Sequence, residues 1–407
     1  MLIAGEASGD LLAAELVSAL HGQLPDAQFF GAGGAKMSAA GVELAFDLTQ
    51  HSVIGISDVL KNILKFRRLF NQLLALAIER KPDVVIGIDF GGFNLRFGQA
   101  IKKYVRENPF SKWDPKIVQF VSPQVWASRP GRADKLARDY DLLLSIFPFE
   151  KAWYAQRVPS LRVEFVGHPM VERMQKEELR MQKSDNSAAP KILLLPGSRK
   201  SELQRHLPVM LDALKLIQEK LPAAQAKMVL PNVRLLDELI WILAARTNTA
   251  IRSTRPINGP LAGQLANELI NKCSPNFSFQ IGELPWALAE ADVAIASTGT
   301  VTMECAFFGV PTVTLYKTSW LTYQIAKRIV TVKSLTMPNL LAGEPVYPEF
   351  IQHDATPENL SRAALKLLQD EAQRTKIKAQ LAKIIASLGE PGAAGRAANA
   401  ILSLFLK

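Results

Sequence analysis

Short apolar runs recur along this chain, each ended by a turn or helix-start residue and followed by an amphipathic helical stretch. That alternation is the strongest constraint on its fold. "PDVVIGID" (82–89), "KIVQFVS" (116–122), "DLLLSIF" (141–147) and "RVEFVGH" (162–168) read as strands, as do "KILLLPGS" (191–198), "AKMVLP" (226–231), "DVAIAS" (292–297) and "PTVTLY" (311–316). They lack strict apolar–polar alternation, as parallel strands covered on both faces do. The pattern predicts an α/β fold of doubly wound parallel sheets, with ligands at the carboxyl ends of the strands.

At 407 residues the chain exceeds one typical core, which predicts two domains. The polar stretch "ERMQKEELRMQKSDNSAAP" (172–190) reads as a linker between a first domain at 1–171 and a second at 191–385. Residues 252–277 read as an insertion with a short helix inside. The tail reads as helical from Glu358 to about Leu388, breaks at "GEPGAAG" and resumes as "RAANAILSLFLK". Few residues precede Gly5, so the first strand is short, and a start further upstream is left open.

Two cysteines, Cys273 and Cys305, stand far apart in no metal-like spacing, which points to a reducing compartment. No export signal is visible, and no uncharged apolar run reaches the ~18 residues of a membrane span. A cytoplasmic protein, soluble or attached to a membrane surface, is expected. The net charge of +10 suits phosphorylated substrates or anionic lipid. No zinc-finger spacing, RNA-binding signature or basic block favours nucleic acid.

The opening stretch "IAGEASGDLLAAEL" is a strand, a glycine loop and a helix start. Gly5 and Gly9 let the backbone turn tightly, but no lysine grips a phosphate, and Glu6 and Asp10 disfavour one. The loop suits hydroxyl groups or a positioning role, and Ser8 or Asp10 serves equally well as a helix cap. In "GIDFGGFN" (87–94), Asp89 ends a strongly apolar strand. A carboxylate there is costly to bury, and its pKa is expected to rise toward that of a proton acceptor, although a helix cap remains open.

In "LLLPGSRKSEL" (193–203), Arg199 at a strand end offers a planar fork to a phosphate, and Ser198 a cap; a solvated surface turn is the alternative. "AIASTGTVTMECAFFGVPTV" (294–313) carries the strongest signal. Thr298, Gly299 and Thr300 form a hydroxyl-rich helix start fit for a diphosphate. One turn on, Glu304 can accept two hydrogen bonds from a ribose diol, unless it sits on a solvated face.

Other features read more plainly. "FFGAGGAKM" (29–37) has Lys36 where a dinucleotide fingerprint needs its third glycine. Asp139-Tyr140-Asp141 precedes a strand rather than ending one, so it reads as helix-end and strand-start residues, not a metal site. His168 belongs either to a ligand site or to a turn. The stretch 57–81 places Val59, Ile63, Phe66, Phe70, Leu73 and Ala77 on one apolar stripe, flanked by Lys61, Lys65, Arg67 and Arg68. Such a helix either covers a sheet or lies on an anionic membrane.

Taken in order, "AGEASGD", "GIDFGGFN", "VSPQVWA", "FPFEKAWY", "FVGHPMVE", "LLPGSR", "STGTVTMEC" and "MPNLLAG" resemble the lipid-A-disaccharide synthase family over nearly the whole chain. The resemblance implies GT-B architecture: two Rossmann-like domains facing a cleft, with the last segment, 386–407, packing back toward the first domain. It implies an inverting transfer of diacylglucosamine from UDP-diacylglucosamine to the 6-hydroxyl of diacylglucosamine 1-phosphate, with no cofactor and no metal. Asp89 matches the family's general base, and Glu6 lies in the matching first loop. Arg199, Glu304 and Asn339 match positions of the nucleotide-sugar site. Ser8, Phe90, Phe93, Asn94 and Trp126, with Val59, Ile63 and Phe66, are expected to face the acceptor or lipid, along with Phe97. The resemblance further implies a peripheral protein at the inner face of the cytoplasmic membrane, and leaves a homodimer open. Two positions depart from the family: Gly92 replaces its usual second acid, and Ser128 a common second tryptophan.

The mechanism expected is that Glu304 holds the ribose while Thr298 to Thr300 and Arg199 neutralise the diphosphate in place of a metal. Asp89 takes the acceptor proton. The rivals are a UDP-N-acetylglucosamine 2-epimerase-like enzyme and a non-catalytic two-domain binding protein.

Overall fold

The computed structural model describes residues 1–49, 63–180, 189–250, 260–274 and 276–406. They form two compact units: Met1–Glu172 with Leu388–Lys407, and Arg173–Ser387.

Unit 1 holds seven strands: β1 (Leu2–Ala4), β2 (Phe30–Gly33), β3 (Glu43–Asp47), β4 (Val84–Ile88), β5 (Lys116–Phe120), β6 (Leu142–Ser145) and β7 (Val163–Phe165). Their order is β3-β2-β1-β4-β5-β6-β7, every pairing parallel. The order reverses between β1 and β4, where Ala4 lies opposite Ile88. The central strands are mostly apolar because helices cover both faces, with Gln119 on β5 an exception; Leu2, Ile3, Ile88 and Phe120 are fully buried. Each such side chain contributes about 1.5–3 kcal/mol relative to exposure.

Unit 2 holds β8 (Lys191–Leu195), β9 (Gln225–Leu230), β10 (Phe277–Ile281), β11 (Val293–Ser297), β12 (Thr312–Tyr316) and β13 (Glu349–Ile351). Their order is β10-β9-β8-β11-β12-β13, again all parallel. Here the reversal falls between β8 and β11. In open α/β sheets such a switch point leaves a crevice at the carboxyl ends of the two strands.

The last helix, Ala393–Leu402, packs on the helix Ala7–His21 within unit 1. Arg396 anchors it by donating from Nε to the Val166 carbonyl (2.8 Å), and the Gly392 N–H donates to Glu172 (3.1 Å).

Three local readings change. Residues 172–180, read as linker, complete the helix Pro169–Arg180. The segment read as an insertion with a short helix holds a longer one: the helix Pro260–Cys273 packs on the helix Leu236–Arg246 and leads into β10, an edge strand. Phe277, Phe279 and Ile281 alternate there with polar residues, a weaker signal than a buried run. The tail helix is two helices, Pro357–Gln369 and Glu371–Ser387. Between them Asp370 accepts the Gln373 N–H at 2.8 Å, as a helix cap does.

Candidate functional site

In unit 1 the loops after β1 and β4 meet at the switch point. The helix Ala7–His21 starts after Glu6 with no side-chain cap, so Ser8 is not spent on capping; Glu6 and Ser8 are both exposed. Asp10 is buried and caps a different helix, Ala35–Ala39. Its carboxylate accepts the N–H groups of Gly34 (2.7 Å), Lys36 (2.9 Å) and Met37 (3.1 Å). This also accounts for one glycine of "FFGAGGAKM": a Cβ at Gly34 would crowd Asp10 and Thr49.

Asp89 follows β4 in a left-handed conformation (φ 47°), and so does Phe90 (φ 45°). Two consecutive non-glycine residues held this way cost on the order of 1–3 kcal/mol each. The helix Gly91–Glu107 begins after Phe90 without a side-chain cap, so Asp89 is not its cap. Asp89 is partly buried, and burial pushes its carboxyl above the usual range, opposed by the Phe90 N–H. Phe90 and Phe93 stack at 5.5 Å between ring centroids, both partly buried.

Other acceptor candidates point inward. Asn94 is 2% exposed, and its Nδ2 donates to the Asp89 carbonyl at 2.9 Å. Phe97 is core. Trp126 is 8% exposed, with its Nε1 donating to Glu150 at 3.0 Å. The motifs "VSPQVWA" and "FPFEKAWY" therefore build one buried polar cluster: Trp126, Glu150, Ser122 and Tyr154, the last two 3.2 Å apart. Burial pushes Glu150 up to about 7, opposed by hydrogen bonds from Trp126 and Ser122.

Val59 lies outside the described residues. Ile63 opens the helix Ile63–Arg80. Its stripe is core-facing: Leu73 and Ala77 are buried, and Phe70 meets the rings of Phe93 (5.3 Å) and Phe97 (5.5 Å). Phe66 is partly buried. The solvent side carries Leu64, Lys65, Arg67 and Arg68. From Phe70 on, the described stripe packs inside unit 1, so the membrane expectation does not rest on that part of it. His168 is a turn residue: its Nδ1 accepts the Met170 N–H at 3.1 Å. Asp139 pairs with Arg138 and Arg106, and Asp141 with Lys102 and Lys116.

In unit 2 the helix Lys200–Lys220 begins after Arg199, whose side chain is 75% exposed and touches Glu202 at 3.4 Å. The cap comes from Glu202, not Ser198: its carboxylate folds back and accepts the N–H groups of Ser198 (2.9 Å) and Arg199 (3.3 Å). Gly197 (φ 121°) leaves it the space. His206, fully buried on the same helix, ties this loop to the one after β12. Nδ1 donates to the Pro196 carbonyl (2.8 Å) and Nε2 accepts the Lys317 N–H (3.0 Å). Burial lowers its pKa, favouring the neutral ring those two contacts require. A polar residue on the stripe of Leu203, Leu207 and Met210 was the available signal for it.

After β11, Thr298 is partly buried, while Gly299 (φ 144°) and Thr300 are exposed. The helix Val301–Phe307 follows, and Thr302 Oγ1 donates to the Gly299 carbonyl at 2.7 Å. Glu304 is not on a solvated face: it is partly buried, and desolvation pushes it up to about 7. Neither Glu304 nor Asp89 has an ion-pair partner among the described residues. Asn339 is different. It is 3% exposed, with Nδ2 donating to the Tyr347 carbonyl and Glu349 (2.8 Å each) and Oδ1 accepting from Val346 (2.9 Å) and Tyr347 (2.8 Å). Its hydrogen-bonding groups are spent inside unit 2, where it braces the segment after its helix.

The family profile of lipid-A-disaccharide synthetase matches residues 1–253 and 268–402. Lipid-A-disaccharide synthases of Trichlorobacter lovleyi and Myxococcus xanthus are each 34% identical, over 99% of this chain and 97% of theirs. That of Solibacter usitatus is 35% identical over 98% of this chain and 96% of its own. Among solved structures, the UDP complex of MnaA from S. aureus aligns with TM-score 0.60 at 12% identity, covering 100% of this chain and 96% of that one. The calicheamicin glycosyltransferase CalG4 aligns at 0.53 and 14% identity, covering 99% and 96%. Two parallel α/β units, each with a switch point, give this chain the GT-B fold of those structures, and its relatives make it a glycosyltransferase of that fold. Within that class, the chain belongs to the lipid-A-disaccharide synthase family. Membership does not favour the epimerase reading; a UDP-GlcNAc 2-epimerase of Neisseria meningitidis aligns with TM-score 0.55 at 12% identity, covering 100% of this chain and 98% of that one, a likeness of fold alone.

Proposed function

We propose that the protein transfers 2,3-diacylglucosamine from UDP-2,3-diacylglucosamine to the 6-hydroxyl of 2,3-diacylglucosamine 1-phosphate, releasing UDP with inversion at the anomeric carbon. The observation that carries the site assignment is a partly buried, ion-pair-free carboxylate at each switch point: Asp89 in unit 1 and Glu304 in unit 2. A carboxylate with a raised pKa is a stronger base than a solvated one and takes the hydroxyl proton as the oxygen attacks. Glu304 accepts the ribose hydroxyls. Arg199, exposed and in contact only with Glu202 among the described residues, places its guanidinium on the diphosphate with Thr298, Gly299 and Thr300. Glu6 and Ser8 form the exposed rim beside Asp89, with Phe90 and Phe93 as the apolar wall for acyl chains.

No helix among the described residues is long and apolar enough to cross a membrane. Attachment at the inner face of the cytoplasmic membrane is supported by the net charge of +10 and by Leu64, 77% exposed beside Lys65, Arg67 and Arg68. Mass spectrometry of products from the UDP-sugar and its acylated phosphate partner tests the reaction. A disaccharide phosphate formed with UDP is expected; hydrolysis or epimerisation alone would contradict it.

A further inference from the structure

Gln119 is fully buried on β5, between apolar Val118 and Phe120. Its amide nitrogen reaches two carbonyls, Asp89 at 2.8 Å and Val121 at 3.3 Å. Both belong to strained strand ends: Asp89 at φ 47° and Phe90 at 45° after β4, and the β-branched Val121 at 65° after β5. Asn94 reaches the same Asp89 carbonyl from the other side, and the Asp89 N–H donates to the Phe120 carbonyl at 2.8 Å. The two amides meet over Gly87, where a Cβ would lie 2.7 Å from Gln119 Oε1 and 2.9 Å from Asn94 Cβ. Neither amide oxygen, Gln119 Oε1 or Asn94 Oδ1, has a hydrogen-bond partner. Leaving a buried acceptor unpaired costs about 1–3 kcal/mol. A chain that carries two such oxygens, plus three left-handed non-glycine residues, holds this geometry for something other than stability.

We propose that Gln119 is a positioning residue for Asp89: by clamping the carbonyls of Asp89 and Val121 it fixes the left-handed strand end that aims the Asp89 carboxylate. The inference rests on the reading of Asp89 as the base. Without the clamp, the residue relaxes toward ordinary φ and the carboxylate swings away from the attacking hydroxyl. A misplacement of about 1 Å can cost roughly 100-fold in rate.

The test is steady-state kinetics of the full chain with both acylated substrates. Gln119→Met, similar in size without a donor, is expected to lose about 10–100-fold in kcat with UDP affinity unchanged. Gln119→Glu separates positioning from packing. Protonated, its carboxyl O–H can donate to the Asp89 carbonyl; ionised, it repels it. Its activity relative to wild type should therefore be highest at low pH and fall as pH rises. Wild-type turnover in Gln119→Met, or a wild-type pH profile in Gln119→Glu, overturns the proposal. If Gln119→Met does not fold, the Gln119→Glu profile decides alone. Asp89→Asn is assayed alongside: if it turns over normally, the base reading fails and this proposal with it. If Asp89→Asn is inactive while both Gln119 variants behave as wild type, only the positioning role fails.

Discussion

The ring of Phe90 fills the space that a side chain at Gly5 would need, closer than van der Waals contact allows. The first loop and the loop after β4 are therefore one unit of packing. A glycine is required at position 5 for this close approach, not for phosphate. Gly9 plays a lesser part, its Cβ position lying 3.8 Å from Asp89 Cβ.

Gly5→Ala should push Phe90 out of place and, through the shared backbone, turn Asp89. Turnover is expected to fall about 10–100-fold while UDP affinity stays as in wild type. Kinetics with calorimetric UDP titration check it; a fall in UDP affinity at normal turnover would contradict the coupling.

Glu304 is expected to control nucleotide affinity. Glu304→Ala removes two charge-assisted hydrogen bonds and should weaken UDP roughly 10–100-fold. With its pKa near 7 in the free protein, the carboxylate is ionised above that pH and protonated below it. Wild-type UDP affinity should accordingly fall as pH drops from 8 to 6, and that slope should flatten in Glu304→Gln. Isothermal calorimetry across that range reads both effects.

Asn339 is expected to matter for stability. Asn339→Ala leaves the Val346 and Tyr347 N–H groups without their buried acceptor, which should cost about 2–4 kcal/mol. Denaturant unfolding measures it. An unchanged midpoint with lost UDP binding would restore a direct contact with the nucleotide.

Glu150 makes stability pH-dependent. Its pKa in the fold, about 7, lies above the ordinary 4.5, so its favourable contribution is complete below about 4.5 and lost as pH rises through 7. Between pH 5 and 8 the loss is at most about 3 kcal/mol. The pH slope of wild-type stability should be steeper than that of Glu150→Gln by up to this amount, whatever the offset between them. Thermal melts at the two pH values decide it.

The sheets were legible because buried parallel strands are unbroken apolar runs, as in "KILLLPGS" and "DVAIAS". β2, β3, β10 and β13 were not: β3, β10 and β13 are short, partly polar edge strands, and β2 is glycine-rich. Asp89 and Arg199 stood out as charges just past apolar strands, and Glu304 as an acid one turn into the helix after β11; the roles given to them remain proposals. Asp10, His206 and Gln119 were not legible, because their partners lie on other elements: the Asp10 carboxylate caps a helix 24 residues away in sequence, and His206 reaches Lys317. Trp126 and Asn339 are the reverse case: the motifs were legible, but the hydrogen bonds that occupy their side chains within each unit were not.

Asp89→Ala is the most direct test of the base assignment. Turnover with the acylated substrates should fall about 10²–10⁴-fold, with UDP affinity by calorimetry unchanged. Near-normal turnover in this variant would remove Asp89 from the chemistry and contradict the account.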